Sequence, residues 1–124
     1  MSFPVVSSDH PSVRAARHLL VKEQGQFHCI PATKIVWCES AGNYVHVHLG
    51  SDAVIVRSTL SALAARLVRL RFERISRTTI VNLDCVLALQ PTGNGEFDVL
   101  LQGGWSRRMT RIYRAAFLER FVVV

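Results

Sequence analysis

The sequence predicts a mostly β domain crossed by one amphipathic helix, and three observations predict it. Short apolar runs recur from His18 onward, each cut by a turn rich in Gly, Asn or Asp. One run, "YVHVHL" from Tyr44 to Leu49, alternates strictly, the mark of a half-buried strand. Only one stretch, near Leu60 to Leu70, carries leucines at clear helical spacing. The chain has 124 residues, 49% of them hydrophobic, which suits a single domain with its own core.

Residues 1–16 carry Pro4, Pro11 and four serines and read as a loose arm, which leaves 17–124 as the folded domain. "HLLVKE" and "FHCIP" flank Gln24-Gly25 as a hairpin. "KIVWCES" is a third strand that stops at the turn residues Ala41, Gly42 and Asn43. In the strand that follows, Tyr44, His46 and His48 face one way, and Val45, Val47 and Leu49 the other. Gly50-Ser51-Asp52 turns the chain into "AVIVR".

The helix is expected over about 59–70. Leu60, Leu63, Leu67 and Leu70 form its stripe, Ser58 or Thr59 caps it, and Arg66 and Arg69 point away. "FERISRTTIVNL", from Phe72 to Leu83, is extended. It leaves Arg77 with Thr78 and Thr79 at a strand end or loop, and Asn82 capping a turn. "CVLALQ" and "EFDVLLQ" surround "PTGNG", whose Asn94-Gly95 pair is a hairpin signal. Gly103-Gly104 turns into "WSRRMT". "RIYRAAFLERF" suits a short C-terminal helix with Ile112, Ala116 and Leu118 or Phe121 inward.

The charge narrows the partners. The formal net charge is +6, and the basic side is thirteen Arg against two Lys. Arg favours planar, bidentate contact with phosphate or a guanine edge. Five Arg fall between Arg66 and Arg77 with one acid, Glu73, and four more fall between Arg107 and Arg114 with none. Two such clusters suit a polyanion, although an Arg-rich coding bias would also produce them.

Other chemistries find little support. Cys29, Cys38 and Cys85 are odd in number and widely spaced, without C-x-x-C, and sit among apolar neighbours. They read as buried hydrophobes in a reducing cytoplasm rather than as a zinc or disulfide framework. The start "MSFPVVSSDHPS" is no signal peptide, and no apolar run is long enough to cross a bilayer. His46 and His48 share a strand face but lack a third ligand, so no metal is expected, and no cofactor either. No phosphate loop or nucleophile motif points to catalysis. Trp37 and Trp105 would suit single-strand stacking only if exposed, and core positions fit them better.

Four segments, taken together, carry a resemblance. "FERISRTTIVN" preceded by the Leu-rich helix, "IVWCESAGNYVHVHL", "VRSTLSALAARL" and "GGWSRRMTRIYRAAFL" occur in the order found in the LytTR DNA-binding family of bacterial transcription regulators. The resemblance spans about residues 28–121. It implies an elongated fold of about ten short strands that lays loops and strand ends, rather than a recognition helix, into the major groove of double-stranded DNA. It puts base contacts on Asn43, Tyr44, Arg77 and Arg111. Lys34, Arg57, Thr78, Arg107, Arg108 and Thr110 are then phosphate contacts. Thr110-Arg111 stands where the family usually reads Ser-Arg, and Thr keeps the hydroxyl.

The family usually carries an upstream receiver or membrane segment, and nothing in this sequence resembles one. The expected role is a stand-alone cytoplasmic transcription regulator, paired as two copies on a repeated site, with an inhibitory membrane protein as one means of control. The rival readings are a non-specific or RNA-binding β module, and a LytTR-like domain whose basic face meets an acidic protein.

Overall fold

The computed structural model describes residues 18–67 and 69–124. The proposed arm, 1–16, lies outside the described residues. Among the described residues, ten strands form three antiparallel sheets. β1 (His18–Glu23) and β2 (Gln26–Pro31) make a hairpin. The central sheet has five strands: β3 (Trp37–Ala41), β4 (Tyr44–His48), β5 (Ala53–Arg57), β6 (Phe72–Arg74) and β7 (Thr79–Asn82). Their order is β5-β4-β3-β7-β6. A third sheet, ordered β10-β9-β8, holds β8 (Val86–Gly93), β9 (Glu96–Leu101) and β10 (Trp105–Met109).

The period-two geometry of the central strands divides the interior into two cores. Along β3, Cys38 enters one core and Trp37 the other; along β7, Ile80 and Val81 divide the same way. Both faces of these strands are covered, so β7 is buried at every residue and its sequence shows no polar alternation. On the first face, Val45, Val47, Cys38 and Ile80 pack with Val21 and Ile30 of the hairpin and with Leu60, Leu63 and Leu67. On the second, Trp37, Ile75 and Val81 pack with Val99, Leu101, Met109 and Phe117.

The leucine stripe belongs to α1 (Leu60–Arg66), where Thr59 Oγ1 accepts from the Ala62 amide at 3.1 Å. The helix is shorter than the expected 59–70. The Leu67 amide bonds back to Ala64 and Leu63, closing the last turn, and Leu70 packs from the turn beyond.

The C-terminal helix is present as α2 (Arg114–Leu118), but its inner face differs from expectation. Phe117 is fully buried, Leu118 is half-buried against the core, and Ala116 is exposed. Ile112 stands out at 81% exposed because it sits on a separate 3-10 turn, Arg111–Tyr113, before α2. Phe117→Ala would cost about 3–5 kcal/mol, the usual loss for a buried aromatic. Cys38 and Cys85 are buried as expected; Cys29 is exposed, because β2 buries only Ile30 fully.

Turn chemistry fixes the register. Gly42 has φ +65° at the first position of the two-residue turn joining β3 to β4, and Ala41 pairs with Tyr44. Asn94 and Gly95 both have positive φ, as a type I′ hairpin requires. No helix among the described residues is long and apolar enough to cross a membrane.

Candidate nucleic-acid interface

One end of the central sheet gathers most of the residues singled out by sequence. Antiparallel pairing places the end of β5, the start of β4, the end of β3, the start of β7 and the end of β6 at the same rim. Arg57 pairs with Tyr44 in the ladder, and its guanidinium lies 6.0 Å from the Tyr44 ring centroid. The Asn43 carbonyl accepts from the Ser58 amide at 3.1 Å, which ties the β3–β4 turn to the entry of α1. Tyr44 is 43% exposed there and Asn43 is exposed beside it.

The loop Ser76–Thr78 continues the rim. The Ser40 amide donates to the Thr78 carbonyl at 2.9 Å, so this loop lies against the end of β3. Within it, Ser76 Oγ accepts from the Thr78 amide at 3.2 Å. The Thr110 amide donates to the Ile75 carbonyl at 3.0 Å, which brings the end of β10 to the same place. Arg77, Arg111, Ser76, Thr110 and Ile112 consequently line one open concavity. Arg77 and Arg111 have no carboxylate partner among the described residues.

Several positioning residues were not visible in the sequence. Arg74 donates from Nε to the Ser76 carbonyl (3.1 Å), from Nη2 to the Arg77 carbonyl (2.7 Å) and from Nη1 to Ser61 Oγ (3.2 Å). It fastens the loop that carries Arg77 to the first turn of α1. Gly95 lies against the stem of Arg111. A Cβ on Gly95 would lie 3.2 Å from Arg111 Cγ and 2.9 Å from Arg114 Nη1, and that same Nη1 donates to the Gly95 carbonyl at 3.1 Å. Two guanidinium bonds to the loop and one to the helix have no sequence signature, since they depend on the approach of β6, β7 and α1.

Three predicted phosphate contacts are placed differently. Lys34 precedes β3, at the opposite end from Asn43, more than one strand length or about 15 Å from the rim. Arg107 faces inward, its guanidinium 3.9 Å from the Trp37 ring centroid and 5.3 Å from that of Trp105. Arg108 points to the outer face of the third sheet, where it bonds Asp98 at 2.7 Å and Glu96 at 3.3 Å. The hydrogen bond and charge of Asp98 push its pKa above the usual arginine value.

The two histidines stand beside an aromatic pair. No group of three or more ligating side chains exists among the described residues. His48 instead stacks on Trp37, with ring centroids 3.9 Å apart and planes 8° from parallel. Burial lowers its pKa. Trp37 is fully buried and offers no platform for a base.

These features define a class: a β-sheet domain that presents loop arginines and a turn tyrosine from one rim. The sequence profile of the LytTr DNA-binding domain matches residues 25–121, and the chain belongs to that family of DNA-binding domains. The fold agrees with a solved structure, the LytTr DNA-binding domain of a protein described as a methyl-accepting/DNA response regulator from Bacillus cereus. The TM-score is 0.73 at 18% identity, over 83% of this chain and 94% of that one. A search of curated proteins returns no match.

Proposed function

We propose that the chain is a sequence-specific regulator of transcription that reads double-stranded DNA through the major groove with this rim. The observation that supports it best is the shared concavity of Arg77 and Arg111, two guanidinium groups presented together on fixed backbone. Arg forks match the O6 and N7 acceptors of guanine, and each good bidentate pair discriminates by about 1–3 kcal/mol. Asn43 and Tyr44 would enter from the neighbouring turn. Arg57, Thr78 and Thr110 flank the rim and are the phosphate contacts of this reading. They supply affinity without sequence information, by releasing counterions. Two copies on a repeated site would extend the footprint, and an inhibitory membrane protein remains the proposed means of control.

The test is selection of bound genomic fragments, followed by titration of the selected duplex against random duplex, single strand and RNA at two salt concentrations. Tighter binding to the selected duplex, lost at one base step in Arg77→Ala and at another in Arg111→Ala, supports the reading. Equal binding to every nucleic acid would leave only a non-specific module.

A further inference from the structure

Ile112 is an aliphatic side chain that the fold holds out in solvent. It is 81% exposed, although the sequence pattern suits it to the inner face of a helix. Its backbone is well fixed. The Thr110 amide is bonded to Ile75, the Tyr113 amide donates to the Thr110 carbonyl at 3.1 Å, and the turn Arg111–Tyr113 runs directly into α2. Ile112 also lines the concavity with Arg77 and Arg111, the two groups proposed to reach guanine edges. A β-branched side chain on rigid backbone has little rotamer freedom to lose when something covers it.

We propose that Ile112 is a specificity-determining residue that packs on the C5-methyl group of a thymine beside a guanine read by Arg77 or Arg111. This rests on the base-reading function above. The chemistry follows from what the major groove displays. The thymine methyl is the apolar feature among its donors and acceptors, and apolar side chains contact it. The stems of Arg77 and Arg111 share the concavity with Ile112, so a methyl group seated there leaves water on several sides at once. Replacing thymine by deoxyuridine removes that methyl and changes no hydrogen-bonding group on the base.

The experiment uses the full chain and a duplex obtained by genomic selection. Each thymine is replaced in turn by deoxyuridine, and affinity is measured for the unaltered protein and for Ile112→Ala. One thymine should prove methyl-sensitive, at about fourfold, the worth of one methyl group taken out of water. In Ile112→Ala the difference between thymine and uracil at that position should vanish, while discrimination by Arg77 persists. The side chain is exposed, so the variant should melt with the unaltered protein. The deoxyuridine series needs no protein variant and tests the contact even if it does not.

If no thymine is methyl-sensitive, or if the sensitivity survives in Ile112→Ala, the inference is overturned while base reading stands. If the protein does not distinguish the selected duplex from random DNA, the base-reading function itself falls, and the inference with it.

Discussion

Arg74 Nη2 donates to the carbonyl oxygen of Arg77 at 2.7 Å, so one arginine holds the backbone of the other. With its bonds to Ser76 and Ser61, Arg74 spends its fork on the protein. That leaves the Arg77 side chain to point outward from a loop closed by Ser76 and Thr78. The two arginines are three residues apart in sequence and do different work.

The first prediction follows. Arg74→Lys keeps the charge but cannot bridge three acceptors from a planar fork. It should destabilise the domain by about 1.5 kcal/mol, the low end for bonds from a charged donor, because two of the three are solvent-exposed. Amides of residues 76–78 should exchange faster in hydrogen exchange, and discrimination between selected and random duplex should fall. Unchanged exchange in that loop would show that Arg74 does not order it.

A second prediction separates the two ends of β3. Arg57 stands beside Tyr44 at the rim and Lys34 at the far end. Each phosphate contact removed lowers the slope of log affinity against log salt by about 0.9. Arg57→Ala should show that loss and weaken all duplexes alike. Lys34→Ala should leave the slope unchanged. A flattened slope for Lys34 would mean that DNA reaches both ends of the sheet.

A third concerns Arg107, whose guanidinium covers Trp37 at 3.9 Å. Its Nε is buried and unpartnered, and its one protein hydrogen bond, from Nη1 to the adjacent Ser106 carbonyl at 2.7 Å, is exposed, so its contribution here is chiefly stacking. A partly desolvated cation–π contact contributes about 1–2 kcal/mol. Arg107→Ala should lower unfolding stability in urea by that amount while changing DNA affinity little. A large affinity loss with stability unchanged would return Arg107 to the phosphate contacts.

How far the sequence carried depends on the kind of interaction. The β-rich architecture, the Gly42 and Asn94-Gly95 turns and the Leu60, Leu63, Leu67 stripe follow from local periodicity and turn chemistry, and all are present. Asn82 caps its turn as expected, accepting from the Asp84 amide at 2.9 Å. Its Nδ2 also donates to the Ile35 carbonyl at 2.8 Å across 47 residues, which no local pattern contains. Likewise "WSRRM" shows two adjacent arginines, and strand alternation sends them to opposite faces: Arg107 onto Trp37, Arg108 to Asp98 and Glu96. Charge counting treats the two as equal, and only the sheet's packing distinguishes them. Ile112 was misplaced for a related reason. The helical spacing of residues 112–121 hides a 3-10 turn that rotates Ile112 away from the core while Tyr113 still packs on it.

A fourth prediction uses the thiols. Burial pushes the Cys38 thiol up to about 12, and burial, then the charge of Asp84, raises that of Cys85. Cys29 is exposed on β2. At neutral pH a thiol reagent should label Cys29 promptly, with Cys38 following only at the rate of unfolding. Prompt labelling of Cys38 would mean that the β3–β7 pair opens far more often than its burial implies.

The last prediction is a pH dependence. His48 lies between Trp37 and solvent, with Trp105 5.4 Å from its ring and His46 at 6.4 Å. Burial lowers its pKa most; the charges of His46 and Arg107 lower it further, and Glu39 acts the other way. The sign follows from proton binding. Below about pH 6.5 the unfolded chain protonates this imidazole while the folded chain resists, so the unfolded state holds more protons. Stability is therefore full above that pH and falls as pH drops toward the folded-state value. The melting temperature should decrease between pH 7 and pH 5. His48→Phe preserves an aromatic ring on Trp37 and removes the titration, so its melting curve should depend less on pH across the same window. An equal slope in the variant would assign the acid sensitivity to other groups and leave His48 as packing alone.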